Sequence, residues 1–560
     1  MRGAATMAAR HWTIALIAAA GLLVAAGSAG AQARGAPTAL SPADRLSYTT
    51  AFDALRRGDL EAAREAARSA QDRVLLGQVE FERLFHADHA ATYEELTAWL
   101  EEYSDLPDAP RAYNLALRRR PDGAPEPKRP AGISGRAWTL TVSAGGGANP
   151  DDPAKAARIA LNADDLATAW TLGVETGDWW TAGLAAWRMD RFADAYGAFR
   201  RVAEDPTQDA WTRAGAAVWT GRSAGRAGRL DEVQPWLHMA TRWPATFYGQ
   251  VAAQMLGETP MIEGLGPTPY QPGVRQIGFR PDTESLVERS ELDAFVRDDP
   301  RARRAVAYYE VGRREEFVGE LRAGIRTAVT DSARRLWTGL AQAMGFQGSR
   351  ADRQVERIDA DDYPVPDLQP TGGFVIERSL VLAIARKETN FNARARSGAG
   401  AYGMMQVMPS TAAEMTGDRE FIRDPDRLLD PAVNVQLGQI YVTRMLGQPQ
   451  FQGDLLRTVA SYNAGPGPML DALRKLGPTP DPLLLIEVLD VPQARDYVEK
   501  VVAAYWIYQR MAGRPVNTLD AVAAGAGLIP IGLDYVPPPP PPPVTEPVVT
   551  AAAATDPAGN

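Results

Sequence analysis

From about residue 42 to residue 350, apolar residues recur three and four positions apart, the spacing that turns one face of a helix toward a core. The periodic runs are short. A repeated turn breaks them: Gly or Asp, a polar residue, a bulky apolar residue, then Ala or an acid. It reads Gly58-Asp59-Leu60-Glu61-Ala62, Asp164-Asp165-Leu166-Ala167, Met189-Asp190-Arg191-Phe192-Ala193, Gly228-Arg229-Leu230-Asp231-Glu232 and Gly312-Arg313-Arg314-Glu315-Glu316. The pattern predicts an all-α array of helix hairpins. Pro/Gly-rich stretches at 120–132 and 143–153 predict exposed loops, and 359–373 (DADDYPVPDLQPTGG) predicts a linker. Periodicity resumes after 374 and fades near 513. The unbroken run Pro537–Pro543 predicts an extended tail without a core. The division expected is therefore a leader at 1–31, an α-superhelix at 32–358, a linker at 359–373, a second helical domain at 374–513 and a disordered tail at 514–560. A fragment from about Pro370 to Gly513 is expected to fold alone.

The irregular spacing of the turns resembles a degenerate set of tetratricopeptide-type hairpins rather than a regular array. Eight of the thirteen Trp fall between Trp170 and Trp243, which reads as helix-to-helix core. Arg2 and Arg10 precede an apolar run from Trp12 to Ala26, and Ala29-Gly30-Ala31 offers a small-x-small cleavage site, so an exported chain beginning near Gln32 is expected. No later stretch has the length of a membrane span. Lys and Arg total 60 against 69 Asp and Glu, which argues against nucleic-acid binding through diffuse positive charge. The chain has no Cys and four His, none beyond His238. Chemistry in the C-terminal half must therefore run without thiolate or imidazole, which excludes Ser-His-Asp triads and His-ligated zinc there.

What remains is carboxylate chemistry, and one carboxylate stands out. Val381, Ile384 and Ala385 form an apolar stripe, and the next position on it is Glu388. A carboxylate on a buried face is costly unless paired or neutral, and desolvation raises its pKa toward that of a general acid. The plainer alternative ends the helix there, with Glu388 in solvent or beside Arg386 or Lys387. Asn390-Phe391-Asn392 then breaks the helix, and Ser397 to Gly403 is small and Gly-rich enough for close approach of backbone to a ligand. Met404-Met405-Gln406-Val407-Met408-Pro409 combines apolar surface with one amide. Tyr462 and Asn463, just before a Gly/Pro stop, add a phenol and an amide. Polar groups on a Met-lined wall suit an N-acetylated sugar.

These blocks resemble the soluble lytic transglycosylases of the lysozyme-like superfamily. The resemblance rests on Arg-Lys-Glu388-Thr-Asn-Phe-Asn, Ser397…Gly403-Met-Met405-Gln406-Val-Met408-Pro, Asn434 with Gly438 and Tyr441, and Tyr462-Asn463-Ala-Gly-Pro-Gly. Upstream, Trp243-Pro-Ala-Thr-Phe-Tyr-Gly is similar to the large periplasmic members. It implies an N-terminal superhelix before a lysozyme-like, mainly helical domain, with Glu388 as the single acid/base. It further implies a cleft lined by Ser397, Met405, Gln406, Met408, Tyr462 and Asn463, with Ser397 and Tyr462 near the reacting sugar. The implied substrate is the peptidoglycan glycan strand, cut in the periplasm between N-acetylmuramic acid and N-acetylglucosamine to leave a 1,6-anhydro end, with no cofactor or metal. The superhelix would serve as a platform for cell-wall synthesis or division proteins. One departure sits near the C-terminus, where the family's Glu-Thr-Arg-x-Tyr-Val reads Gln493-Ala494-Arg495-Asp496-Tyr497-Val498. Gln493 removes a charge from the cleft wall and keeps hydrogen-bonding capacity.

Two other functions compete. A hydrolase on the same fold needs a second carboxylate about 5–9.5 Å away, for which Glu414, Asp418, Glu420 and Asp424 are candidates. A non-catalytic peptidoglycan-binding scaffold would be expected to have lost Glu388 or Tyr462, and both are present.

Overall fold

The computed structural model describes residues 36–130, 153–265, 275–277, 287–346 and 350–535. The leader, nearly all of the 143–153 loop and the run Pro537–Pro543 lie outside the described residues. The all-α expectation holds: the described chain is almost entirely helix. Its only strands pair in twos, Glu258–Pro260 with Arg275–Ile277 and Ile262–Glu263 with Ile358–Asp359.

The repeated turn works by one local device. Gly58, Asp164, Asp190, Gly228 and Gly312 adopt left-handed backbone, with φ between 56° and 81°. Gly carries no steric penalty there, and Asp is among the few other residues that tolerate it. In each turn the following N–H reaches back five residues, as Arg313 does to the Tyr308 carbonyl at 2.8 Å. That bond closes the finished helix. Asp59 and Asp165 then cap the next one by accepting the N–H of Ala62 and Thr168, both at 3.1 Å. Helices on either side pack face to face, among them Trp179–Arg188 on Phe192–Glu204 and Ala210–Arg226 on Leu230–Ala240.

The helices bury three separate cores. The smallest joins residues 81–116. A second joins 36–79 to 287–344, so the first hairpins pack on the last ones of the superhelical half. The largest joins 160–262 to 358–529. Three of the eight clustered tryptophans are core residues and the other five pack against the core while partly exposed. Trp187, Trp219 and Trp243 are buried, and Trp219 stacks on Phe199 with ring centroids 5.5 Å apart. Others, including Trp179 and Trp180, stay partly exposed.

Two boundaries differ from expectation. The Pro-rich segment 359–373 is no loose linker, because Tyr363 and Leu368 are buried in the largest core and Tyr508 donates to the Pro364 carbonyl at 3.0 Å. Proline limits helix, but an extended Pro-rich strand can still bury its side chains. Nor does the tail begin at 514. Asn517–Ala523 is a helix whose Leu519 and Val522 are buried, as is Ile529 beyond it. Trp506 Nε1 donates to Thr518 Oγ1 at 2.9 Å, and Asp534 accepts from the Thr518 N–H and the Tyr505 hydroxyl, both at 2.9 Å.

Candidate active site

Four helices, Arg378–Thr389, Pro431–Leu446, Leu455–Ala464 and Pro492–Met511, and one loop build the site. Glu388 lies in the last turn of the helix Arg378–Thr389, whose buried stretch Ser379–Ala385 fixes it in the core. Asn390 caps it in left-handed conformation, and Phe391 continues at φ 65° with its N–H on the Ala385 carbonyl at 3.3 Å. The sharp reversal sends the chain into the loop 395–408. There Tyr402 bridges Arg396 on one side and Val407 on the other in antiparallel fashion.

Asn434, fully buried in the helix Pro431–Leu446, holds this loop. Its Oδ1 accepts the Met405 N–H at 2.8 Å, and its Nδ2 donates to the carbonyls of Tyr402 and Leu428 at 2.9 Å each. Gly403 passes so close, at φ 74°, that a Cβ would stand 2.4 Å from both Asn434 Nδ2 and the Leu428 oxygen. Two hydroxyls secure the loop carbonyls. Thr389 Oγ1 donates to Met404 at 2.8 Å, and the Tyr462 hydroxyl donates to Met405 at 2.7 Å. Glu388 and the loop are thereby tied to each other through adjacent residues of one helix end.

Glu388 is half-buried and its Oε1 accepts the Tyr497 hydroxyl at 2.7 Å. Burial pushes its carboxyl above the usual range, outweighing the opposing effects of the Tyr497 hydrogen bond and the Lys387 charge. Lys387 itself is turned to Asp496, 2.8 Å away. Burial also holds the phenols of Tyr462 and Tyr497 well above their ordinary range, so both act as neutral donors. Their rings lie nearly parallel, 6.3 Å apart, and Tyr441 meets Tyr462 edge-on at 5.4 Å. Tyr497 and Lys387 are the side chains that shift the Glu388 carboxyl, and the Glu388 charge in turn helps to raise the phenols of Tyr497 and Tyr462. The candidate second carboxylates are turned to other partners or to solvent: Glu414 pairs with Arg444 at 2.7 Å, Asp418 with Arg427 at 2.8 Å and Glu420 with Arg423, while Asp424 is exposed. Among the described residues no group of three or more His, Asp or Glu is placed to hold a metal ion.

The other candidates fall in different places. Ser397 is exposed on the loop, where its Oγ accepts the Ala401 N–H at 2.9 Å and keeps its own proton to donate. Gln406 is half-buried at φ 50°, its amide on the Gly403 carbonyl at 2.8 Å. Met408 is 38% exposed and offers apolar surface. Asn463 is half-buried beside Tyr462, and Gln493 is exposed one helical turn before Tyr497. Met405 departs from expectation: its side chain is fully buried against Gly438 and lines no cleft, and only its backbone serves the site. The phenol touching Glu388 belongs to Tyr497, which sequence reasoning had only as part of a motif. The Tyr462 hydroxyl is committed to the Met405 carbonyl.

Residues 369–481 match the family model for the Transglycosylase SLT domain. The chain is 27% identical over 306 residues to the soluble lytic murein transglycosylase of Escherichia coli K12, covering 53% of this chain and 44% of that one. It is 33% identical over 296 residues to the protein of the same description from Salmonella typhimurium LT2, covering 51% and 42%. The chain thus spans less than half the length of these relatives. The X-ray structure of an inactive mutant of the lytic transglycosylase Slt from Pseudomonas aeruginosa aligns over 84% of this chain and 81% of that one, at 19% identity and a TM-score of 0.40. Glu388, the loop 395–408, Asn434 and Tyr462 all fall inside the matched family segment: the chain carries a Transglycosylase SLT domain and is similar to the soluble lytic murein transglycosylases.

Proposed function

We propose that the protein is a peptidoglycan lytic transglycosylase that cleaves the β-1,4 bond between N-acetylmuramic acid and N-acetylglucosamine without water, leaving 1,6-anhydro ends. The carrying observation is Glu388, a carboxyl raised by burial, with no second carboxylate among the described groups that shift it. In this reading the protonated Glu388 delivers its proton to the glycosidic oxygen as the bond breaks, and the carboxylate then takes the proton of the sugar's own 6-hydroxyl. That hydroxyl is tethered to the reacting ring, so its effective concentration far exceeds that of a poorly placed water. Tyr497 holds the carboxylate in position. The loop secured by Asn434 presents Ser397 and Gln406 toward the N-acetyl groups. The family match and the names of the relatives support the substrate class. The leader-like first 31 residues support action in the periplasm, and no described helix is long and apolar enough to cross a membrane.

Digestion of purified sacculi in ¹⁸O-water tests the chemistry. Anhydro products carry no label and weigh one water less than hydrolysed ones. Label in most new sugar termini would replace this reading with a hydrolase.

A further inference from the structure

Far from Glu388 in sequence, a solvent-open cavity of about 300 Å³ lies between two parts of the superhelical half. One wall comes from the turn before Trp179–Arg188 and from Phe192–Glu204. The other comes from Arg314–Thr327. Three guanidiniums line it, those of Arg201, Arg322 and Arg326, and none forms an ion pair among the described residues. Each is held for another purpose. Arg201 lies 4.3 Å over the Trp179 ring and donates to the Ala328 carbonyl at 3.0 Å. Arg322 reaches the Thr207 carbonyl at 3.4 Å, and the stem of Arg326 packs on the turn at Gly177.

The two carboxylates in the wall are already employed. Asp178 caps a helix through the Thr181 N–H at 3.1 Å, and Asp205 takes three donors from Thr207 and Gln208. Burial, followed by the neighbouring cations Arg334 and Arg301, pulls the Arg201 and Arg326 guanidiniums below their ordinary range; Asp331 and Glu204 offset this only in part at Arg201, and no anion offsets it at Arg326 among the described residues. The indoles of Trp179 and Trp180 add flat apolar surface, and Trp179 Nε1, shielded from water, has no acceptor among the described residues. Guanidiniums bind carboxylates through paired N–H donors, and a planar indole beside them favours a peptide over a small inorganic ion.

We infer that this cavity binds the carboxylate-bearing stem peptide of the cell-wall polymer, apart from the sugar-cleaving cleft. The choice of peptide rests on the proposed function; the demand for an organic carboxylate rests on the cavity itself. Binding here would hold a strand by its peptide while its sugars enter the cleft.

Calorimetric titration of the full chain with the free acidic stem tetrapeptide, and with its fully amidated form, tests the inference. The peptide contains no glycosidic bond, so the result is independent of Glu388 chemistry. Expected is one-to-one binding that weakens at least tenfold in Arg322→Ala/Arg326→Ala. Both residues expose surface to solvent, although protein surrounds the Arg326 guanidinium closely enough to lower its pKa, and the variant's melting curve reports any loss of fold. The amidated peptide should bind at least tenfold more weakly to the unaltered protein, an arm that needs no variant. Absence of binding by the unaltered protein, or equal affinity for the acidic and amidated peptides, would overturn the inference.

Discussion

Glu388 combines two demands in one side chain, since it must be acid enough to give a proton and basic enough to take one back. Replacing it with Gln should lower cleavage by about 10²–10⁴-fold, the usual contribution of a positioned acid/base. Stability should move the other way. The native state holds the Glu388 proton more tightly than the unfolded chain does, so its contribution is full at low pH and is lost as pH rises toward the raised folded value. At neutral pH the Gln variant should therefore melt at or above the parent temperature, and thermal melts across pH would show the gap narrowing on acidification. Activity requires the protonated form and should decline as pH rises through the same range. Tyr497→Phe removes a donor that favours the carboxylate, so the declining limb of the pH–rate profile should shift to higher pH. An unmoved limb would show that Tyr497 acts only through packing. Glu388 is legible in sequence because it shares a helical stripe with residues three to seven positions before it. Its partner Tyr497 lies 109 residues away, and no local periodicity reports such a contact.

The loop 395–408 depends on three helices it does not belong to, through Thr389, Asn434 and Tyr462. Asn434 satisfies one buried N–H and two carbonyls at once. Asn434→Ala should cost about 2–5 kcal/mol, because each orphaned buried group forfeits its pairing. Gly403→Ala should cost about 2–4 kcal/mol from crowding and left-handed backbone together. Urea denaturation measures both, and a loss under 1 kcal/mol in either would mean the loop relaxes freely. At this scale the hairpin turns are readable because left-handed backbone has a short roster of willing residues, Gly and Asp among them. Met405 is misread for the opposite reason. An apolar residue in a polar block can face wall or core, and the kink at Gln406 that decides the matter leaves no trace in hydrophobic pattern.

The large core joining 160–262 to 358–529 makes the candidate catalytic region dependent on its neighbours. Phe247 stacks on Trp506 with centroids 5.1 Å apart. Glu487, buried in the short helix Pro482–Glu487, accepts the Tyr248 hydroxyl at 2.7 Å and Trp180 Nε1 at 3.2 Å. A chain ending at Gly513 loses the buried Leu519, Val522 and Ile529 and should be about 5–9 kcal/mol less stable, at about 1.5–3 kcal/mol for each apolar side chain. Its urea midpoint should fall accordingly, and an unchanged midpoint would contradict the packing. The helical character of the chain is readable from periodicity, but which distant helices share a core is not. Composition at 359–373 and after 513 therefore suggests boundaries that packing erases. The seam that does divide the molecule runs inside the superhelical half, between the core of 36–79 with 287–344 and the core of 160–262 with 358–529. Arg201 and Arg322 cross it by donating to Ala328 and Thr207. The protein is therefore a poor source of interchangeable parts at its apparent joint. Anyone grafting its catalytic segment onto another carrier must transplant the Trp-rich hairpins with it, and the Arg-lined cavity lies on the seam between the two cores.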